Sequence, residues 1–309
     1  MFMFSVHSLQ RVCLIVVVCV TFENVTAQDL GVPHAVFVVG TPHYSPGSTI
    51  PGLAEQLAQL GFRTTVVLPA GDPEKNPVGI PGLDALKTAD VAVFYLRFLT
   101  LPDDQLKLIV DYLKSGKPVV GFRCSTHAFA YPKGSPNARW NDGFGRDALG
   151  SKYFIHLQGT TQVSGVAVAQ AHPVLTGIKL AGDLTAAGTL YLADPPADAD
   201  VLLGGIGKSK KTGIVKNGFG THALTETMTQ PVAWTWTNKW GGRVFTTTLG
   251  HPDTFSNRQF VRLFLNGICW AAGKDVPKKL RARPIKAGTG SDEKKIAAKA
   301  FKIAPSNPT

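Results

Sequence analysis

The residues that could do chemistry are concentrated where a short apolar run gives way to polar side chains, in the segment Lys117-Pro-Val-Val-Gly-Phe-Arg-Cys-Ser-Thr-His127. Pro118 to Phe122 is apolar without alternation, which is typical of a strand buried on both faces of a parallel sheet. In open α/β sheets, ligands bind beyond the carboxyl ends of the strands. We therefore expect Arg123 and His127 at a ligand-binding edge, where arginine can hold an anion and histidine can exchange protons.

Two further histidines follow predicted strands and are expected at the same edge. His43 lies beside Tyr44 in the loop after the first strand, and His251 follows a later strand in the sequence Gly-His-Pro-Asp253. Because polar residues on loops often carry function, His251 and Asp253 are predicted to line the pocket. The alternative for Asp253 is a cap on the following helix. For His43 and His127, a pocket role and a local hydrogen-bonding role are both open.

A loop of aromatic and polar residues, Trp140-Asn-Asp-Gly-Phe-Gly-Arg146, has the composition of a sugar-binding surface. Trp140 could stack on a sugar ring, with Asp142 and Arg146 as further substrate-binding residues, although glycine-rich turns have the same composition. His156 lies in a strand-like run. It is interpreted either as a substrate-binding residue or as a hydrogen-bonded core histidine.

Several common catalytic signatures are absent from the sequence. There is no Gly-x-Ser-x-Gly elbow and no His-Glu-x-x-His zinc motif. The glycine run before Lys208 lacks the first glycine of a phosphate-binding loop, so a surface turn carrying lysines is predicted. No cofactor is predicted. A divalent metal stays open, because four side chains could converge in the fold: His43, His127, His251 and Asp253.

Alternating strand and helix patterns in the first half must position these residues. Strands are predicted over residues 35–39, 62–68, 91–96 and 118–122, and helices over residues 50–60 and 102–116. Strand–helix repeats with short connections predict a parallel, doubly wound sheet with helices on both faces, as in flavodoxin-like folds. In the second half, strands are predicted over residues 153–157, 163–168, 201–203, 231–236 and 243–249, followed by a helix over 256–272. We interpret these as extra strands of the same sheet, which makes the fold class three-layer α/β with a mainly parallel sheet.

Both ends of the chain differ from its central part. Residues 1–27 place Arg11 before nine apolar residues and end in Val-Thr-Ala, the pattern of a cleaved secretory signal peptide, with an uncleaved anchor as the alternative. A bilayer takes about 20 apolar residues to span, so stable membrane insertion is not expected, and the protein is predicted to be exported. Residues 274–309 are rich in Lys, Ala, Gly and Pro and predict a solvated, disordered tail after an α/β domain over residues 28–273.

The positive charge belongs mainly to that tail. Of the formal net charge of +11, residues 274–309 carry +7, from ten Lys and Arg against three Asp and Glu. Nucleic-acid binding is not expected, because the tail lacks interleaved aromatic residues and the protein is predicted to be exported. After residues 1–27, only Cys124 and Cys269 remain, which is too few for a disulfide scaffold; whether the two are bridged stays open.

Several segments, taken in order, resemble the ThuA-like (trehalose utilisation) family, within the class I glutamine amidotransferase-like fold. They are Lys117–Phe129, Lys152–Gln158, Ala171–Ile178, Pro231–Trp236, Gly242–Pro252 and Gly267–Gly273. The resemblance spans residues 34–273 and implies the predicted α/β fold and an association with sugar metabolism. In glutamine amidotransferases the residue two after the strand-end glycine is a nucleophilic cysteine, and in typical ThuA-like proteins it resembles a histidine. Here that residue is Arg123.

This departure shapes the predicted function. Cys124 stands one position late and is expected to turn away from the elbow, so glutaminase activity is not predicted. The resemblance implies an exported protein that acts on a sugar or sugar-derived small molecule by histidine acid–base chemistry, with Arg123 as the anion or oxyanion stabiliser. The alternative is a non-catalytic carbohydrate-binding module. If Arg123 is buried, it needs an acidic side chain or a bound anion, because an unpaired buried cation is costly. The sequence predicts no oligomeric state.

Overall fold

The computed structural model describes residues 31–70, 79–166, 169, 171–179 and 184–286. The predicted signal peptide therefore lies outside the described residues, and so does the part of the predicted tail after residue 286. Within the described ranges, no helix is long and apolar enough to cross a membrane.

The strands form one large sheet and one separate hairpin. The strands are β1 His34–Val39, β2 Arg63–Val67, β3 Val91–Tyr95, β4 Val119–Phe122, β5 Gln158–Gly165, β6 Leu184–Ala186, β7 Asp200–Lys208, β8 Gly213–Asn217, β9 Gly220–Leu224, β10 Thr227–Thr237 and β11 Arg243–Thr247. Nine of them form a sheet in the order β2-β1-β3-β4-β11-β10-β7-β5-β6, while β8 pairs with β9 alone. Neighbours from β2 to β11 are parallel, and those from β11 to β6 are antiparallel. The predicted extension of one parallel sheet by later strands is confirmed.

Helices cover both faces of the sheet, as predicted. They are α1 Pro46–Ala58, α2 Asp103–Lys114, α3 Trp140–Gly143 and α4 Arg258–Ala271. Because successive residues of a strand point to opposite faces, Phe37 of β1 packs in the core that contains apolar residues of α1 and α4. Its neighbour Val38 packs in the core on the other face, with residues of α2 and α3. The unalternating apolar runs are therefore strands buried on both faces.

The second half departs from the predicted elements in detail. Residues 153–157 form no strand. The lysines of residues 208–211 lie at the exposed end of β7 and in the connection to β8, as predicted, while the glycines before them lie inside β7. A Cβ atom on Gly205 would lie 2.4 Å from Val232, and one on Gly207 would lie 2.7 Å from Leu190. These glycines are therefore needed for close packing within the sheet rather than for turning the chain.

The first part of the predicted tail lies against the domain. Arg262 of α4 donates to the backbone oxygens of Pro277, Lys278 and Leu280. Ile285 is only 8% exposed, and its backbone N–H donates to Phe255 O at 2.8 Å. Residues 274–286 are thus a docked segment, which corrects the predicted solvated extension for this part of the chain. A cleft of about 470 Å³ lies where this segment meets the rest of the domain, and its lining includes Lys179, Arg258 and Arg281.

Candidate functional site

Arg123 is the first residue after β4, at the start of a 3-10 turn that ends at His127. Its backbone φ is +54°, in the left-handed region that residues other than glycine rarely adopt. Three other described residues at this edge of the sheet, Tyr44, Ser45 and Phe98, have φ values of +65°, +49° and +48°. Strain of this kind persists only where the surroundings fix it, and it clusters at ligand-binding sites. The predicted elbow is therefore present, with arginine at its apex.

The side chain of Arg123 is almost fully buried, with 1% exposed. Its Nη1 donates to the backbone oxygens of Thr189 (2.9 Å) and Thr248 (3.2 Å), and its Nη2 donates to the hydroxyls of Tyr44 and Thr189 (both 3.3 Å). Its Cζ lies 4.4 Å from the ring centre of Tyr191 and 5.2 Å from that of Tyr44. Of the two predicted partners, an acidic side chain or a bound anion, the acidic side chain is not found among the described residues. Carbonyl dipoles and ring faces stabilise the charge there.

Several polar atoms at the elbow are buried without a partner. Arg123 Nε, Thr126 Oγ1, His127 Nδ1 and Tyr95 Oη make no hydrogen bond within the described part of the chain. Buried polar groups are normally satisfied, so a cluster of exceptions points to a polar ligand or to water.

Cys124 follows the elbow with its side chain buried away from the surface. It is 0% exposed, and its Sγ lies 3.8 Å from the hydroxyl oxygen of Tyr191. Cys269 is buried in α4, and the two described cysteines do not form a disulfide with each other. The thiol therefore occupies neither the elbow position nor an open surface.

His127 is enclosed by aromatic rings. Its ring centre lies 4.4 Å from that of Tyr153, 4.8 Å from Phe98, 6.0 Å from Tyr191 and 6.5 Å from Phe219. Burial, reinforced by the nearby positive charges of Arg97 and Arg123, holds its pKa well below the usual value. His127 is therefore neutral at physiological pH, which is the form that can accept a proton.

His156 stands next to this aromatic group. Its Nδ1 lies 2.5 Å from the hydroxyl oxygen of Tyr153, and its ring centre lies 5.9 Å from that of Tyr191. Partial burial lowers the pKa of His156, and the charge of Arg123 lowers it further. Burial also raises the pKa of Tyr153 to about 12, so this pair is uncharged at neutral pH.

His251 lies on the other side of Arg123, against Tyr44. The Tyr44 ring centre is 4.9 Å from that of His251 and 4.0 Å from that of His43. Burial and the charge of Arg123 lower the pKa of His251, although Asp253 opposes this. The Asp253 carboxylate is 71% exposed and lies 3.6 Å from His251 Nδ1, at the surface rather than within the site.

Asp253 does not cap the following helix either. Asn257 is the cap of α4, where its side chain accepts from the backbone N–H of Gln259. The preceding 3-10 turn begins at His251, whose Nδ1 accepts from the backbone N–H of Asp253. Both predicted roles of the Asp253 side chain, pocket residue and helix cap, are therefore absent.

These contacts define one group of residues at the carboxyl edge of the sheet, which we call the Arg123 pocket. It comprises His43, Tyr44, Phe98, Arg123, His127, Tyr153, His156, Thr189, Tyr191, Phe219 and His251. The fold thus brings together six predicted site residues: His43, Tyr44, Arg123, His127, His156 and His251.

The predicted sugar-binding loop lies elsewhere. Trp140 is 6% exposed and stacks on Trp240, with ring centres 6.3 Å apart. The backbone of Trp240 lies against Gly116, at the amino end of β4 and opposite the Arg123 edge. Asp142 pairs with Lys152 at 2.7 Å, and Arg146 pairs with Asp147 at 2.9 Å. Trp140 is therefore a core residue, Asp142 and Arg146 form ion pairs at the surface, and none of the three belongs to the Arg123 pocket.

Sequence reasoning missed five residues of the Arg123 pocket, which are Phe98, Tyr153, Thr189, Tyr191 and Phe219. Thr189 and Tyr191 come from a loop after β6, Phe98 from the loop after β3, and Phe219 from the β8–β9 turn. Of these residues, only Tyr153 could have been suggested by the sequence, because it stands three residues before the predicted site residue His156. The other four residues lie in segments that have no recognisable motif.

The convergence of His43, His127, His251 and Asp253 that would favour a metal site is not found among the described residues. Among the described residues, no three His, Cys, Asp or Glu side chains are grouped so that they could hold a metal ion. His43 and His251 contact Tyr44, whereas His127 lies within the aromatic group around Tyr153.

The neutral histidines predict a loss of stability in mild acid. Because the pKa values of His127, His156 and His251 are lowered in the native state, the unfolded chain binds more protons below about pH 6.5. The free energy of unfolding should therefore fall as the pH drops, by at most about 1.4 kcal/mol per pH unit for each histidine. Urea unfolding between about pH 7.5 and 5.5 measures this, and His127→Phe should flatten the slope. A stability that rises towards acid would contradict it.

Comparison with known proteins places the chain in a family. A family model described as ThuA, trehalose utilisation, matches residues 36–271. The chain belongs to the ThuA family. No curated protein matches it. Among solved structures, a ThuA-like protein from Parabacteroides merdae is 17% identical, with a TM-score of 0.53 over 82% of this chain and 95% of the other.

Two other similar structures match the ThuA-family chain less closely. The glutaminase domain of Trypanosoma brucei CTPS is 13% identical, with a TM-score of 0.44 over 82% of this chain and 100% of the other. The exo-beta-1,4-mannosidase Op5Man5 from an Opitutaceae bacterium is 12% identical, with a TM-score of 0.41 over 80% of this chain and 37% of the other. Likeness at these identities concerns the fold, so the chemistry of this ThuA-family protein must be argued from its own pocket.

Proposed function

We propose that this ThuA-family protein binds a sugar or sugar-derived molecule in the Arg123 pocket and acts on it by histidine acid–base chemistry. The observation that carries the proposal is the set of neutral histidines around one buried cation: His127, His156 and His251 all have pKa values lowered by burial and by Arg123. Neutral imidazoles can accept protons at physiological pH. The family description, trehalose utilisation, supports a sugar as the ligand.

In this proposal His127 and His251 act from two sides of Arg123. A neutral imidazole takes a proton from a ligand hydroxyl group, or from a carbon next to a carbonyl group, and returns it to the product. The charge of Arg123 stabilises negative charge that develops on a ligand oxygen. Its two Nη atoms already donate four hydrogen bonds to protein oxygens, so Nε is the guanidinium donor left for a ligand.

A non-catalytic carbohydrate-binding module is the second candidate, and the aromatic wall favours it. Five rings line the pocket: Tyr44, Phe98, Tyr153, Tyr191 and Phe219. Aromatic rings alone can hold a sugar, because they offer a large apolar surface at a small entropic cost. In that case the histidines would only donate and accept hydrogen bonds.

Turnover separates the two candidates. Purified protein is incubated with trehalose, common monosaccharides and disaccharides, and their keto and acid derivatives, and products are followed by mass spectrometry. The enzyme proposal expects a product that His251→Ala abolishes and that His172→Gln, a histidine outside the pocket, leaves intact. Saturable binding without any product would favour the binding module. Neither binding nor product from any sugar would overturn both.

We also propose that the chain is exported. The support is the sequence pattern of residues 1–27, in which Arg11 precedes an apolar run and a Val-Thr-Ala cleavage site. Mass spectrometry of native protein is expected to find a mature amino terminus near Gln28. Native protein that retains residues 1–27 would contradict export by this route.

A further inference from the structure

The β8–β9 hairpin stands apart from the main sheet and buries little of its own surface. Its register pairs Asn217 with Gly220, so Gly218 and Phe219 form the tip. Four of the five residues of β8 are exposed, and the side chain of Ile214 is 68% exposed. A two-stranded hairpin is marginally stable by itself, and this one adds little to the core. Its tip, however, makes several contacts.

Phe219 at that tip reaches the Arg123 pocket. Its ring lies nearly parallel to that of Phe98, at 6.1 Å and 19°, and meets Tyr153 edge-on at 4.8 Å and 84°. The ring of His127 lies 6.5 Å away. Phe219 is only half-buried despite these contacts, so part of the ring is accessible to a ligand.

Asn217 fixes the tip in this position. Its Nδ2 donates to the backbone oxygen of Phe154 at 2.9 Å, which ties the hairpin to the segment that carries Tyr153. Its Oδ1 accepts from the backbone N–H of Phe219 at 2.8 Å and lies 3.1 Å from Nε2 of His222. The hairpin therefore holds one aromatic ring against the histidines at a defined place.

We propose that Phe219 is a specificity-determining residue that selects ligands with a closed sugar ring. A pyranose presents a fixed apolar C–H face that can stack on a phenyl ring, whereas an open-chain polyol has no such face and loses more conformational entropy on binding. The inference rests on the proposed function of the pocket and specifies its substrate class: pyranoses, in preference to their open-chain counterparts.

The test compares the binding of sugars with a closed ring and of an open-chain polyol of similar polarity. Binding of methyl α-D-glucopyranoside, trehalose and sorbitol is measured by calorimetry on wild type, Phe219→Ala, Phe219→Leu, Phe219→Tyr and Ile214→Ser. Phe219→Leu keeps apolar volume, Phe219→Tyr keeps the ring, and Ile214→Ser changes an exposed residue of the same hairpin. Thermal melting of each variant shows whether it folds.

At least one pyranoside is expected to bind wild type at least about tenfold more tightly than sorbitol does, and to lose about tenfold with Phe219→Ala or Phe219→Leu. Phe219→Tyr and Ile214→Ser should stay within about twofold of wild type. If sorbitol binds wild type as tightly as the pyranosides do, the inference about Phe219 is wrong. It is also wrong if both Phe219→Ala and Phe219→Leu keep the full pyranoside affinity. Neither outcome contradicts the proposed function of the pocket. If no pyranoside binds wild type, the inference fails, and the turnover screen decides whether the proposed function fails with it.

Discussion

Replacing Arg123 by lysine is expected to lower the free energy of unfolding by about 3 kcal/mol. The guanidinium bridges the backbone oxygens of Thr189 and Thr248, which lie 66 and 125 residues away along the chain. An ammonium group lacks the planar fork that serves both oxygens and the Tyr44 hydroxyl together. Each buried acceptor left without a donor costs about 1–3 kcal/mol.

The folded fraction of Arg123→Lys should lose only part of its turnover, because lysine preserves the positive charge that lowers the pKa values of the histidines but lacks the Nε donor proposed to face the ligand. Urea unfolding measures the loss of stability, and Arg258→Lys, an exposed arginine at the start of α4, is the matched control. Unchanged stability together with lost ligand binding would show that the guanidinium is held for the ligand instead.

Replacing His127 by phenylalanine is expected to reduce turnover by about 10²- to 10⁴-fold while leaving the protein at least as stable as wild type. The ring lies among Phe98, Tyr153 and Tyr191, and its Nδ1 is buried without a hydrogen-bond partner in the described residues. A phenyl ring keeps the packing and removes that unsatisfied atom, but it cannot carry a proton.

His172→Gln is the control for this prediction, because His172 also has a pKa lowered by burial but lies against Trp270, outside the Arg123 pocket. Turnover and thermal melting are measured on both variants at the same pH. A His127→Phe protein with full activity would identify His127 as a core histidine and move the acid–base role to His251 or His156.

Local pattern was enough to predict the strand and helix order of the first half and the position of the elbow. The apolar run before Arg123 indicated a doubly buried strand, and the positive φ of Arg123 confirms the turn expected after it. These features depend on neighbours a few residues apart, which is the range over which periodicity and turn chemistry act.

The tryptophan loop shows where the same reasoning fails. Trp140, Asp142 and Arg146 have the composition of a sugar site, but they lie in a short helix and the π-helical turn that follows it. Trp140 packs against Trp240, a hundred residues further along the chain. Composition alone cannot show which edge of a sheet a loop reaches, because that depends on the order in which distant strands pair.

By itself, the sequence determined the family, the α/β sheet and an arginine at the elbow. Only the tertiary structure decided that carbonyl groups and aromatic rings, not a carboxylate, surround Arg123. It also decided that Phe219, from a separate hairpin, lies near His127, with ring centres 6.5 Å apart. The reason is physical: local order comes from interactions between near neighbours, whereas a pocket is made by contacts between segments far apart in sequence, and those contacts exist only once the whole sheet has assembled.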